Sequence, residues 1–136
     1  VEKRFSMAEL ERTIRRADEV GLASMACADT LDEAVTIARM APNIIIVESP
    51  DLIEGGKRAE NDRESVARIN ATIWDINEEI RVLDGAGINS GKDVYNIIYE
   101  VSNAAVSNIF IIKAPVPFAM LEEMIRAERE AWDQIH

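Results

Sequence analysis

Gly85-Ala86-Gly87-Ile88-Asn89-Ser90-Gly91 is the stretch whose residue types and spacing point most directly to chemistry. The apolar run Ile80-Arg81-Val82-Leu83 leads into it, and a helical pattern from Lys92 leads out. Three glycines in seven residues let a backbone come close to a ligand, and a helix start beyond them aims N–H groups at an anion. Ser90 with Asp93 reads as a capping box for that helix. The same residues also suit a tight strand-to-helix turn with no ligand, and spacing alone leaves both readings open.

Glu48 is the second candidate. It follows Ile44-Ile45-Ile46-Val47, the strongest strand signal in the chain. A carboxylate at a strand end, if desolvated, is suited to act as a general base near neutral pH. It reads equally as a solvated loop residue or a cap. The loop beyond it, to about Asn61, has Pro50 near one end and Gly55-Gly56 further on, so it has the composition of a lid.

These residues need strands and helices to hold them. Ser6 with Glu9 and Thr30 with Glu33 are capping-box patterns, each followed by apolar residues at helical spacing: Met7, Leu10, Ile14, Ala17 and Val20, then Leu31, Ala34, Val35 and Ala38. Residues 23–27 read as a short buried strand, and 44–47, unbroken and β-branched, as a strand covered on both faces. A third helix follows with Val66, Ile69, Ile73 and Ile76, then strand 80–83, then a helix with Val94, Ile97, Ile98 and Val101. The last helix starts at Pro117 and carries Phe118, Leu121, Met124, Ile125 and Trp132. Segment 101–113 reads as a fourth strand at 104–107, a strand shifted to 108–112, or a continuing helix. Strands alternating with helices predict an α/β fold with parallel strands in a single domain, 1–136.

With 136 residues the chain can bury a real core, and a formal charge of −10 argues against nucleic acid or an anionic membrane as partner. An anionic small ligand is compatible with it, since a local site can oppose the global charge. No apolar run approaches the ~20 residues of a membrane span. Cys27 is the only cysteine, which excludes an internal disulfide and a cysteine-based metal site. Metal and cofactor are both expected to be absent, and the cytoplasm is the expected compartment.

Val47-Glu48-Ser49-Pro50-Asp51-Leu52-Ile53 with Gly55-Gly56, followed by Gly85-Ala86-Gly87-Ile88-Asn89-Ser90-Gly91-Lys92-Asp93-Val94, resembles archaeal-type triosephosphate isomerase. Glu2-Lys3-Arg4, Cys27, and Lys113-Ala114 with Pro117 resemble further points of that family, so the likeness covers nearly the whole chain. It implies half of a (β/α)8 barrel, strands five to eight, with four parallel strands and their helices, open to closure by homodimerisation. It also implies that Glu48 is the base that shuttles a proton between two carbons of a triose phosphate, a role the family pairs with a neutral histidine electrophile. Gly85, Ala86, Gly87 and Ile88 correspond to the phosphate loop, Glu2 to the glutamate beside the family's histidine, and Pro50, Gly55 and Gly56 to the lid. The reaction implied is interconversion of glyceraldehyde 3-phosphate and dihydroxyacetone phosphate, in glycolysis and gluconeogenesis.

Departures from the pattern limit that expectation. The family's lysine and histidine have no counterpart here, and His136, at the chain end, does not take the histidine's role. Glu54 stands where the lid has a glycine, and Ile109-Phe110 stands where the last strand's Ser-Gly phosphate loop would be. General-base catalysis alone supplies about 10²–10⁴-fold, too little for an isomerase. The sequence therefore reads as an isomerase-derived half-barrel, engineered or truncated, inactive alone and serving as a folding or assembly module. It is expected to pair with itself or with a complementary N-terminal half. Two other readings are a fragment of an authentic isomerase that needs that half, and a module that binds a phosphorylated ligand such as a triose phosphate.

Overall fold

The computed structural model describes residues 5–48, 62–100 and 102–136. Ten elements follow in order: α1 (Met7–Glu19), β1 (Met25–Ala28), α2 (Leu31–Ala38), β2 (Ile44–Val47), α3 (Asp62–Ile76), β3 (Arg81–Asp84), α4 (Gly91–Glu100), β4 (Ala104–Ala105), α5 (Ile109–Ile112) and α6 (Pro117–Ile135). The strands are all parallel and lie in chain order, β1-β2-β3-β4. This is the α/β fold with parallel strands expected from the alternation of elements, and the half-barrel that the resemblance implies.

The register sets two rows of side chains on the sheet. Ala26, Ile45 and Val82 form one rung and Ala28, Val47, Asp84 and Ala105 the next. Of these the apolar residues of β1, β2 and β3 are buried, against Ala34, Ile37 and Ala38 of α2 and Ile69 and Ile73 of α3. The alternate row is more open: Met25 and Cys27 are exposed, and Ile44, Ile46 and Leu83 are half-buried. The uniform Ile44–Val47 run predicts cover on both sides. The helices cover only one face, because all of them pack on the same side.

Capping chemistry sets the helix starts. Ser6 and Glu9 form the full reciprocal box, with the Glu9 N–H on Ser6 Oγ and the Ser6 N–H on Glu9 Oε2. At α2 only half of it forms: Thr30 Oγ1 accepts from Glu33 N, but the Glu33 carboxylate takes the Asp29 N–H instead. Proline at N1 starts α6 without any side-chain cap.

Of the three readings of 101–113, the strand lies at 104–105. Asn103 leads it in: its N–H donates to Val82 O and its side-chain oxygen accepts from Val82 N at 2.9 Å. Asn108 then caps Ile109, which turns the apolar run 109–112 into one helical turn rather than a strand. A second difference lies on α6. Met124 and Ala131 are buried on α4, whereas Phe118 (84% exposed), Ile125 (57%) and Trp132 (45%) face away. Periodicity locates an apolar stripe but not the side from which α4 approaches.

Among the described residues no helix is long and apolar enough to cross a membrane. Ala41 is the one described non-glycine residue with positive φ, 53°, where α2 gives way to Pro42. A left-handed alanine costs about 1–2 kcal/mol, and glycine's extra freedom in the unfolded chain returns part of that. Ala41→Gly is therefore expected to stabilise the fold by about 0.5–1 kcal/mol in urea denaturation.

Candidate functional site

The carboxyl ends of β2, β3 and β4 meet at one rim. Glu48 continues the ladder past β2, its N–H donating to Ala28 O at 3.0 Å. Its side chain is exposed and reaches over Gly85. A Cβ at Gly85 would lie 2.8 Å from Glu48 Oε1 and 3.5 Å from Val106 Cβ, so glycine is what lets the carboxylate sit on the loop. The dry surroundings that would favour Glu48 as a base are not supplied by the described residues.

Beyond Gly85, Ala86, Gly87 and Ile88 are buried, and Gly87 turns through φ 67°. Among the described residues the amides of Gly87 and Ile88 have no acceptor. Buried backbone donors are nearly always paired, which makes these two amides the candidates for an outside acceptor. Ser107 Oγ donates to Ile88 O at 3.0 Å, fastening this loop to the segment after β4. Together Glu48, 85–88 and 106–110 line a cavity of about 170 Å³. That is small, in scale with a phosphate or a few-carbon ligand rather than with the ~300–1,000 Å³ of larger ligand sites.

The start of α4 behaves differently from the expectation of a helix end offering its amides to an anion. Gly91 N–H donates to Glu123 Oε1 of α6 at 2.8 Å, and Asn89 N–H to Asp93 Oδ2 at 3.1 Å. Asp93 N–H is taken by Ser90 Oγ. Two amides at this helix end are thus taken by the chain's own carboxylates, which also suit its dipole.

Below the rim, Asp84 and Asn70 are buried at 1% and 0% exposure. Asn70 Nδ2 donates to Asp84 Oδ2 and to Ser102 Oγ, and the Ser102 hydroxyl donates to Asp84 Oδ2. This cluster ties α3 and the α4–β4 connection to the strand that carries the glycine loop. Val106 N–H on Asp84 O at 2.8 Å adds a backbone link.

Glu2, Glu54, Pro50, Gly55 and Gly56 lie outside the described residues. His136 stacks on Trp132 at the end of α6, with ring centroids 3.8 Å apart, and does not line the cavity. Ile109 and Phe110 do line it, and the Ile109 N–H is taken by Asn108's own side chain. Sequence pattern does not single out Ser107, Asn108 or Glu123. Glu123 carries no signal there, because its partner is 32 positions away. Ser107-Asn108 lies in the segment whose structure periodicity leaves open. Among the described residues no group of acidic, histidine or cysteine side chains could hold a metal.

A parallel half-barrel with a glycine-lined rim at its strand ends is the class that fold and site define. No family profile matches the chain. It is 33% identical over 126 residues to the triosephosphate isomerase of Methanosarcina barkeri, matching 92% of this chain and 57% of that one. To the triosephosphate isomerase of Sulfurisphaera tokodaii it is 27% identical over 135 residues, matching 98% and 58%. Among solved structures, a putative lactate oxidase of Pediococcus acidilactici superposes with a TM-score of 0.62 at 13% identity, covering 99% of this chain and 36% of that one; this likeness concerns the fold alone. The chain thus resembles archaeal triosephosphate isomerases over nearly all its length and spans about half the length of those relatives, consistent with their C-terminal half.

Two measurements test this geometry. Burial first, then the Glu48 and Asp29 carboxylates, push the Cys27 thiol up from its ordinary value. Glu48→Gln is expected to raise the thiolate fraction and speed labelling of Cys27 about twofold or more near pH 8. An unchanged labelling rate would mean that the carboxylate does not lean toward β1. A Cβ at Gly91 would lie 2.9 Å from Glu123 Cγ, so α6 is seated closely on the start of α4. Glu123→Ala should cost about 1–2 kcal/mol in denaturant unfolding, through the orphaned amide and the lost charge at the helix end.

Proposed function

We propose that this chain supplies the base and the phosphate cradle of an isomerase-type site acting on a phosphorylated triose. On this reading it turns over nothing until a complementary half adds the remaining groups. The observation that carries it is the shared cavity: the Glu48 carboxylate and two acceptor-less amides, Gly87 and Ile88, at one rim of strand ends. Its likeness to triosephosphate isomerases is the second support.

The division of labour follows from the groups present. Backbone amides hold the phosphate without a formal cation, and Ser107 keeps their loop in place. Glu48 takes a proton from the carbon next to the carbonyl and returns it to the neighbouring carbon, while the carbonyl oxygen gains negative charge. That oxygen needs a donor, and among the described residues no imidazole or ammonium lines the cavity. Loss of one such donor costs about 10²–10³-fold. Exposure of Glu48 costs more, since water competes for the carboxylate. Both deficits belong to the half that would close over the open face of the sheet.

A second reading is an assembly module with no chemistry of its own, closing with another copy or a complementary half. The exposed and half-buried row Met25, Ile44, Ile46 and Leu83 favours it.

The two separate experimentally. Titration with inorganic phosphate is expected to move the amide resonances of Gly87 and Ile88 and to leave that of Gly91 in place. Mixed with the part of the Methanosarcina barkeri relative that lies outside the match, the chain should show triose phosphate isomerisation that falls at least 10²-fold in Glu48→Gln. No amide response and no turnover in the mixture would leave the module reading standing.

A further inference from the structure

On the helix-facing row of β1, β2 and β3 the residues Ala26, Ala28, Ile45, Val47 and Val82 are apolar and buried. Asp84 shares their row, in the last rung before the rim, and is a carboxylate at 1% exposure. Such burial costs free energy that an alkyl side chain would not, unless directional bonds offset it. The donors to Asp84 come from two other parts of the chain, Asn70 of α3 and Ser102 after α4.

Helix α3 meets the start of the glycine loop at two points. Val66 and Asn70 are both fully buried and lie one turn apart on one face. Val66 packs on Ala86, and Asn70 Nδ2 donates to Asp84 Oδ2 at 3.2 Å. Four residues of helix rise ~6 Å, close to the ~6.6 Å that two residues of extended chain span, so the two contacts fall in step. Apolar burial has no preferred direction, and the Val66 contact alone would let the end of β3 rotate. A hydrogen bond is directional and fixes how the chain leaves the strand.

That exit direction matters because Gly85 and Gly87 have no side chains with which to anchor the loop. On the side away from α3, Val106 N–H donates to Asp84 O at 2.8 Å and Ser107 Oγ to Ile88 O at 3.0 Å. The stretch from Asp84 to Ile88 is therefore held between α3 and residues 106–107, and its foot is the carboxylate.

We infer that Asn70 and Asp84 are positioning residues for the amides of Gly87 and Ile88. Their bond, rather than the apolar packing of α3, sets where those amides point and with it the affinity of the loop for a phosphate group. The inference rests on the reading proposed above, in which these amides hold phosphate, and adds to it two residues that do not line the cavity. A pair serving stability alone would be replaceable by two alkyl side chains of similar size, because removing both partners of a buried hydrogen bond together is close to neutral.

The test uses the full chain and two double variants. In Asn70→Leu/Asp84→Leu the urea midpoint should stay near that of the parent. Residual dipolar couplings should nevertheless show the Gly87 and Ile88 N–H bonds turned from their parent directions, and inorganic phosphate should bind about tenfold more weakly or worse. The reciprocal exchange, Asn70→Asp/Asp84→Asn, keeps one amide donor and one carboxylate acceptor in place. It should restore the couplings and bring phosphate affinity to within about twofold of the parent. Parent couplings and parent affinity in the leucine pair would overturn the inference, as would a folded exchange variant that restores neither. Should the leucine pair not fold, Ser102→Ala decides: it removes a donor to Asp84 at a half-buried position and should turn the same two N–H bonds, whereas unchanged couplings would overturn the inference. The couplings are read without ligand. A parent chain that binds no phosphate would thus count against the phosphate reading, and the couplings would still decide whether Asn70 and Asp84 position the amides.

Discussion

A parallel sheet needs cover on both faces, because its crossovers place helices along it and its residues are apolar throughout. Here right-handed connections put every helix on one side. Ala26, Ala28, Ile45, Val47 and Val82 are sealed beneath them, while the alternate row of the same strands stays half open. The open state of the rim follows from that imbalance. Glu48, Gly87 and Ile88 line one cavity at the rim where β2, β3 and β4 end, yet the Glu48 carboxylate stands in solvent because none of the described residues closes over it.

The rim is held by contacts that do not themselves touch the cavity. Asp84, Asn70 and Ser102 form a buried polar cluster at the foot of the glycine loop, joining α3, β3 and the approach to β4. Buried polar links of this kind fix the relative position of the segments they join. Ser107 repeats the device above it by fastening Ile88 O. Position is thereby shared between a packed core below and single hydrogen bonds above, and movement of the loop is restrained from both sides.

Competition for the same donors decides which backbone amides stay open. The start of α4 has the dipole and the amides that suit phosphate, but Glu123 and Asp93 already occupy two of them. An intramolecular carboxylate is held at high effective concentration and loses no translational freedom on binding, so a free anion does not displace it readily. The amides at Gly87 and Ile88, one turn earlier, are left without an acceptor among the described residues.

Much of this is legible in the residues. Capping pairs and periodicity locate α1, α2, α3, α4 and the start of α6, the Ile44–Val47 run marks β2, and the glycine spacing marks the loop. These signals are local, since a cap spans three positions and a helical stripe repeats every three or four. Three decisions are out of reach of local pattern. Segment 101–113 turns on Asn103 reaching Val82 and on Asn108 capping a helix inside an apolar run. The closing of the α4 start depends on Glu123, 32 positions away from Gly91. The direction faced by the α6 stripe depends on which side α4 lies. The sequence by itself determined which groups exist and which short segments hold them. Only the tertiary structure decided which amides stayed open and which faces stayed bare, because those are outcomes of competition between groups brought together by packing.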